Sequence, residues 1–109
     1  MFRSSGDRGG QADVLNGAGE TLLATGEPGQ ARASHTAALT LARETGDRYQ
    51  QARAHRGLAE ACDGTGQPAE ARQHWQHALA DYTALGVPEA ALMPASPAGA
   101  QDEAPNSYS

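Results

Sequence analysis

The chain has 109 residues, 13 acidic and 8 basic side chains and a formal net charge of −5, which allows one small domain and excludes a multidomain enzyme. All 8 basic residues are Arg, and 23 residues are Ala. Because there is no Lys, Schiff-base lysines and the Gly-Lys-Ser/Thr phosphate loop are excluded. With a single thiol, Cys62, the chain forms no internal disulfide and predicts no Cys-based zinc site, so a reducing cytoplasm is the expected setting.

The two ends and the charge pattern bear on possible partners. The N-terminal residues lack the apolar core of a secretion signal, and no apolar run reaches the ~20 residues of a membrane span. The Arg residues never cluster into a basic stripe, so no electrostatic footprint for a nucleic acid is evident. We therefore expect neither membrane nor direct nucleic-acid contact.

A tandem repeat is the strongest signal in the sequence. When residues 7–46 are compared with 47–86, 14 of the 40 positions are identical without a gap. Eight matches are neither Ala nor Gly: Asp7/Asp47, Arg8/Arg48, Gln11/Gln51, Glu20/Glu60, Thr25/Thr65, Pro28/Pro68, Arg32/Arg72 and Leu39/Leu79. The chain is thus divided into 1–8, an N-terminal lead; 9–46, repeat 1; 47–86, repeat 2; and 87–109, a partial cap and then a disordered tail.

Each repeat is predicted to hold two helices. The Gly46-Asp47 pair can end one helix in the left-handed conformation and provide the N-cap of the next. Within each repeat, Thr-Gly-x-Pro marks an inner turn, where Gly permits the backbone and Pro suits the first turn of the following helix. These residues are Gly26 with Pro28 and Gly66 with Pro68.

Small and large apolar residues recur at helical spacing and predict the buried faces, with His35 and His55 as polar exceptions. The first helices carry Leu15, Ala18, Gly19 and Leu22, and then His55, Leu58, Ala59 and Cys62. The second helices carry Ala31, His35, Ala38, Leu39 and Ala42, and then Ala71, Trp75, Ala78, Leu79 and Tyr82.

This spacing over residues 9–86 resembles the tetratricopeptide repeat, although the period is 40 residues rather than the usual 34. The matching run is Leu58-Ala59, Cys62, Gly66, Ala71, Trp75 and Ala78, preceded by Ala18-Gly19, Leu22, Gly26, Ala31, His35 and Ala38. The resemblance implies an all-α fold of two tandem helix-turn-helix repeats in a right-handed superhelical stack. It also implies a protein–protein interaction module without catalytic chemistry or cofactor.

The 40-residue variant, with Gly46-Asp47-Arg48 between repeats, is similar to the C-terminal arrays of actinobacterial antibiotic-regulatory-type transcription activators and related signal-transduction ATPases. That resemblance implies an alternative function. The chain would be the terminal sensor segment of a bacterial transcriptional regulator whose DNA-binding and ATPase domains lie in other residues.

Two sets of side chains suggest chemistry, and each has a simpler interpretation. His74, His77 and Asp81 could present metal ligands on one helix face, but the pattern is not His-Glu-x-x-His, and solvated imidazoles are expected. Cys62 with His55 could form a nucleophile and base, but no oxyanion hole is suggested and Cys62 occupies a core position. We predict no catalytic residue and no metal site.

A Gly-rich segment also admits a simple interpretation. Gly17-Ala18-Gly19 resembles the start of a dinucleotide fingerprint, but it lies in a helix pattern without a preceding strand, and Leu22 replaces the third Gly. We predict that it serves helix packing and that no cofactor is bound.

Arg53, Arg56 and Glu60 are the candidate partner-groove residues, because they lie on a first helix, whose residues often line the concave face of such arrays. Arg side chains there could hold acidic peptide termini, or they could simply pair with nearby carboxylates. The expected partner is a protein, a peptide or a neighbouring domain.

Two Ala-rich repeats predict a marginal domain, because stacked repeats gain stability from their neighbours and about three are usually needed. The outer side of the first hairpin is expected to be open to solvent. Either the chain is a fragment of a larger array or it forms a homo-oligomer through the open repeat end. The fragment hypothesis fits the sequence better, since Gly6-Asp7-Arg8 copies the inter-repeat turn Gly46-Asp47-Arg48.

Overall fold

The computed structural model describes residues 8–92, and the sequence predictions for 1–7 and for the tail beyond residue 92 lie outside these residues. Four long helices and one short turn of helix follow one another in this range. They are α1 (Arg8–Ala24), α2 (Pro28–Thr45), α3 (Arg48–Gly64), α4 (Pro68–Leu85) and α5 (Glu89–Leu92). The prediction of an all-α fold with two helical hairpins is confirmed.

The helix boundaries follow the predicted turn chemistry. Gly46 ends α2 in the left-handed conformation, with φ of 71°, and its backbone N–H donates to the carbonyl oxygens of Ala42 and Arg43. The Asp47 side chain then accepts a hydrogen bond of 3.1 Å from the Gln50 N–H and caps α3. Only Gly adopts such a positive φ without strain, which explains its recurrence after every long hairpin helix.

Helix α3 lies at the centre of the stack, where it packs against α1, α2 and α4. One apolar cluster holds α3 to α4 around Trp75 and Tyr82, and the second holds α2 to α3 around Leu39 and Leu58. All the predicted core positions of α2 are buried. The predicted core positions of α3 are buried as well, and those of α4 are buried except Leu79, which is 36% exposed.

The first repeat has a polar centre where the second has an aromatic one. The His35 ring is fully buried, and its Nδ1 lies 2.8 Å from Oδ1 of Asn16. The Asn16 amide nitrogen donates to the Gln50 backbone oxygen at 3.1 Å, so its oxygen is the acceptor and His35 Nδ1 carries the proton. His35 Nε2 is left buried without a hydrogen-bond partner among the described residues.

Two glycines make room for this histidine. A Cβ atom built on Gly57 would lie 2.1 Å from His35 Nε2, and one on Gly19 would lie 2.4 Å from the same atom. Both distances are far below van der Waals contact, so α1 and α3 approach the ring as closely as they do because neither position has a side chain. Gly19 therefore serves helix packing, as the sequence predicts.

Helix α1 departs from its predicted buried face, because only Gly19 of the four predicted positions is buried, while Leu15 and Leu22 are half-buried. Ala18 was expected in the core but is exposed, whereas Gly19 beside it is buried. The 40-residue register explains the difference, because Ala18 corresponds to Leu58, which is buried in the α2–α3 interface. Helix α1 has no preceding helix among the described residues, and its corresponding side stays open.

Gly86 ends α4 in the left-handed conformation, with a φ of 68°, just as Gly46 ends α2, and the short helix α5 follows it. Val87 and Ala90 pack against the Trp75–Tyr82 cluster. The Tyr49 hydroxyl donates a hydrogen bond of 2.5 Å to the Glu89 carboxylate, which raises the pKa of Tyr49 to about 12. Helix α5 thus covers part of the last repeat.

Candidate interaction faces

A small hollow lies between α1 and α3, and its volume is about 240 Å³. It is lined by Glu20 of α1 and by Arg56, Gly57 and Glu60 of α3. Arg56 Nε lies 3.7 Å from a Glu60 carboxylate oxygen, and both side chains are 41% exposed. Burial raises the pKa of Glu60, which is the response of a carboxylate that is partly removed from water. The hollow is polar and presents one loosely paired cation and anion.

Arg53 lies beside this hollow and joins the two repeats. Its Nε and Nη2 atoms donate to the two Glu20 carboxylate oxygens at 2.7 and 2.8 Å, and its Nη1 donates to Asp13. Such a two-pronged contact is the strong form of the Arg–carboxylate pair. The hydrogen bonds from Arg53 hold the pKa of Glu20 below 4.5, while the Arg53 pKa is raised.

The candidate groove residues therefore have different surroundings. Arg56 and Glu60 line the hollow and are accessible, whereas the Arg53 side chain is only 19% exposed and is fully engaged with Asp13 and Glu20. The suggested pairing with local carboxylates holds for Arg56, with Glu60, and for Arg32, with Glu70. The prediction that these residues contact a partner stays a prediction.

A second depression, of about 320 Å³, lies between α2 and α4 over α3, and three histidines line it. Nδ1 of His55 lies 3.0 Å from Nδ1 of His74, and the His55 ring stacks on His77 with 4.7 Å between centroids. Burial, together with the neighbouring imidazoles, lowers the pKa of His55 to about 4. Burial also lowers the pKa of His74. Burial thus favours the neutral form of both rings, and one Nδ1–H donates to the other Nδ1.

Asp81 Oδ1 lies 3.9 Å from Arg48 Nε, and Asp81 does not join the histidines in any ligand group among the described residues. The set of His74, His77 and Asp81 is thus not gathered around one point. The His55 ring contacts His74 and His77, and among the described residues no hydrogen bond joins it to Cys62, so the geometry does not support a nucleophile–base pair of Cys62 and His55.

Cys62 instead lies in a different polar cluster at the edge of the same depression. Arg32 Nη1 lies 3.5 Å from the Cys62 sulfur, and Arg32 Nη2 donates to Glu70 Oε2 at 2.5 Å. The sulfur, a Glu70 oxygen and a His74 nitrogen all lie within 4.8 Å of one another. Burial raises the pKa of the Cys62 thiol, which disfavours a reactive thiolate. Cys62, Glu70 and His74 are close enough to contact a single ion.

Sequence comparison agrees with this architecture. The family model described as tetratricopeptide repeat matches residues 10–84, which span all four long helices. The chain belongs to the tetratricopeptide repeat family. Comparisons with curated proteins and with solved structures give no significant match. The finer resemblance to actinobacterial regulators stays a prediction.

Family membership places this chain among helical scaffolds that mediate protein–protein interactions and are typically non-catalytic. Within residues 8–92, no helix is both long and apolar enough to cross a bilayer. The functional question for this tetratricopeptide repeat is therefore which of its faces meets a partner.

Proposed function

We propose that the chain is a protein-interaction module and a piece of a longer tetratricopeptide array, with the outer side of α1 as the surface on which the neighbouring part of that array stacks. The observation that supports this most directly is a correspondence between helices. Val14 is 70% exposed on α1, and Ala18 and Thr21 are exposed on the same side. One repeat later, the corresponding residues Ala54, Leu58 and Ala61 are buried.

The buried counterparts show that this side of a first helix packs against the preceding hairpin. Ala54 and Leu58 pack with Ala38 and Leu39 and so hold α3 to the preceding hairpin. Since stacked repeats contact only their neighbours, a preceding hairpin would cover Val14 and Ala18 in the same way. Leu79 supports the same interpretation at the other end, because it is 36% exposed while its counterpart Leu39 is 7% exposed.

The array proposal can be tested with the polypeptide encoded in frame before Met1. That polypeptide is produced separately and titrated into ¹⁵N-labelled chain, and we expect amide shifts centred on Val14, Ala18 and Thr21. Val14→Asp should abolish the shifts, because it places a charge in an apolar contact. Leu85→Asp is the matched control, since Leu85 is 40% exposed on α4, and it should leave them unchanged. An in-frame stop just before Met1, or the absence of shifts, would overturn this part of the proposal.

For the partner itself we propose the hollow between α1 and α3 as the contact surface, with Arg56 and Glu60 as contact residues and Arg53 as their support. The partner is a peptide or a neighbouring domain with an acidic group for Arg56. A fluorescently labelled set of acidic peptides should bind with Arg56 present and lose affinity in Arg56→Ala. Arg43→Ala removes the same charge from α2 and should leave the affinity unchanged. Equal losses in both variants would show non-specific charge attraction and contradict this site.

The 40-residue period and the Gly46-Asp47-Arg48 turn support the second candidate function, a terminal sensor segment of a bacterial transcriptional regulator. In that case the reading frame before Met1 encodes a DNA-binding domain and a nucleotide-binding domain. A frame that encodes helical repeats alone would contradict it while leaving the interaction module in place.

A further inference from the structure

A group of possible metal ligands lies where α2, α3 and α4 meet. Cys62 is on α3, while Glu70 and His74 are four residues apart on α4 and therefore share one face of that helix. Their sulfur, oxygen and nitrogen atoms lie within 4.8 Å of one another. Thiolate sulfur, imidazole nitrogen and carboxylate oxygen are the three ligand types that zinc takes in proteins. Cys62 also belongs to the apolar cluster around Trp75, but none of the three residues is part of the proposed interaction surfaces.

One of the ligand distances already suits a single ion. Zinc bonds of ~2.0–2.3 Å in tetrahedral geometry place ligand atoms roughly 3.3–3.8 Å apart. His74 Nε2 already lies 3.8 Å from Glu70 Oε2. If the His74 Nδ1–H donates to His55 Nδ1, 3.0 Å away, His74 Nε2 keeps its lone pair for a metal. His55 then orients the ring, as an outer partner of a metal-binding histidine usually does.

A cation already occupies the cluster. The Arg32 guanidinium donates to Glu70 Oε2 at 2.5 Å and lies 3.5 Å from the Cys62 sulfur, with Gln67 Oε1 as a third contact at 2.7 Å. The Arg32 side chain is 38% exposed and borders the open depression of about 320 Å³, so it has room to swing outward. Water from the same depression can take the fourth position on the metal.

The ligands belong to the second repeat alone. In the 40-residue register, the counterparts of Cys62, Glu70 and His74 are Leu22, Gln30 and Ser34. None of the three counterparts supplies a thiolate, a carboxylate or an imidazole, so the cluster is not a by-product of the repeat pattern. The first repeat contributes only Arg32, from across the interface.

We propose that Cys62, Glu70 and His74 form a zinc site, which the ion enters by displacing the Arg32 guanidinium. The Cys62 thiol loses its proton to solvent as the sulfur–zinc bond forms, while Glu70 and His74 donate lone pairs without a change of charge. Binding exchanges a contact between the two repeats for a bond between α3 and α4. A sequence with one thiol predicts no Cys-based zinc site, but the fold supplies the other ligands.

The test uses the full chain, titrated with Zn²⁺ by calorimetry and with Co²⁺ by absorption spectroscopy. We expect one ion per chain, release of about one proton and a thiolate-to-cobalt charge-transfer band. Cys62→Ser and Glu70→Gln should each lower the zinc affinity at least about tenfold. Mutation of even an outer partner of a metal ligand typically lowers the affinity by that much. Glu70 is only half-buried, so Glu70→Gln remains informative if Cys62→Ser does not fold.

Two further variants separate this site from adventitious binding. Arg32→Gln should tighten zinc about fivefold or more, the effect of removing one unit charge at roughly 4 Å in water. Arg43→Gln removes the same charge from another point of the depression, outside the cluster, and should leave the affinity unchanged. No binding to the wild type, equal binding by Glu70→Gln, or weaker binding by Arg32→Gln would overturn the proposal.

Discussion

The two repeats have the same helix boundaries and turns, yet they fill their centres differently. In the first, His35 lies between Gly19 and Gly57 and bonds to Asn16. In the second, Trp75 packs with Tyr82 in an apolar cluster. The comparison shows that the turn residues determine where the helices lie, while the side chains at the central position set how closely the helices approach. His35 has a glycine on each side, at Gly19 and Gly57, whereas Ala59 takes the place of Gly19 in the cluster around Trp75.

The largest expected difference between the repeats concerns a leucine that both of them contain. Leu39 is 7% exposed and Leu79 is 36% exposed, because only Leu39 is covered by a following first helix. Leu39→Ala should therefore lower the free energy of unfolding by roughly 2–5 kcal/mol. Leu79→Ala should lower it by at most about 1 kcal/mol. Urea unfolding followed by circular dichroism measures both, and equal losses would mean that the ends of the stack are not open.

A smaller effect is expected where His35 meets glycine. Gly57→Ala places a Cβ atom 2.1–2.3 Å from the His35 ring, so the ring or α3 must move. We expect a loss of roughly 1–3 kcal/mol in the free energy of unfolding, which is typical of overpacking.

Gly29→Ala is the matched control for that variant, because nothing lies within 4 Å of the added Cβ atom on α2. It should stabilise the chain by up to about 1 kcal/mol, the advantage of Ala over Gly in a helix. A stable Gly57→Ala protein would show that the close approach in the first repeat is not needed.

The smallest predicted effect is a dependence of stability on pH that comes from the first repeat. Burial lowers the His35 pKa below its usual 6.5, while Glu20 opposes that shift and Arg53 adds to it. Below about pH 6.5, His35 binds a proton more readily in the unfolded chain than in the folded one. The free energy of unfolding therefore decreases as the pH falls. It levels off once the pH is below the lowered pKa.

His35→Gln is expected to remove this contribution, because its amide can still contact Asn16 but does not titrate. The other histidines are common to both proteins, so their contributions cancel in the comparison. Melting temperatures measured from about pH 7.5 to pH 5 should decrease more steeply for the wild type than for the variant. Parallel curves would contradict the role given to His35.

Much of the fold follows from local sequence chemistry. The Gly46-Asp47 boundary and the Pro residues of the inner turns are determined by backbone conformation and capping within a few residues, so the sequence predicts them correctly. The predicted burial of Ala18 is wrong, because helical spacing alone does not bury a side chain without a neighbouring helix to cover it. Asn16 was missed because its counterpart is Arg56, so the repeat pattern gives no sign of a buried polar group there.

The metal-ligand cluster shows a similar limit. His74 and His77 are three residues apart and draw attention as a pair, but the group that comes together joins His74 with Glu70 and with Cys62 of the preceding helix. The sequence signal for this cluster would have been an acidic residue and a histidine four apart on one helix, with a cysteine on the other helix of the hairpin. The phase of α3 against α4 decides which side chains meet, and that phase depends on packing around Trp75.

The contact from Arg53 to Asp13 and Glu20 also bears on post-translational modification. Every basic side chain is an Arg, so acetyltransferases, ubiquitin ligases and amine-directed cross-linkers find no lysine side chain in the chain. The guanidinium also keeps its charge at any pH that proteins tolerate. Protonation of the carboxylates weakens this contact, but Arg53 itself holds the Glu20 pKa below its usual value. The contact between α1 and α3 is therefore independent of lysine modification and keeps its charges over the ordinary pH range.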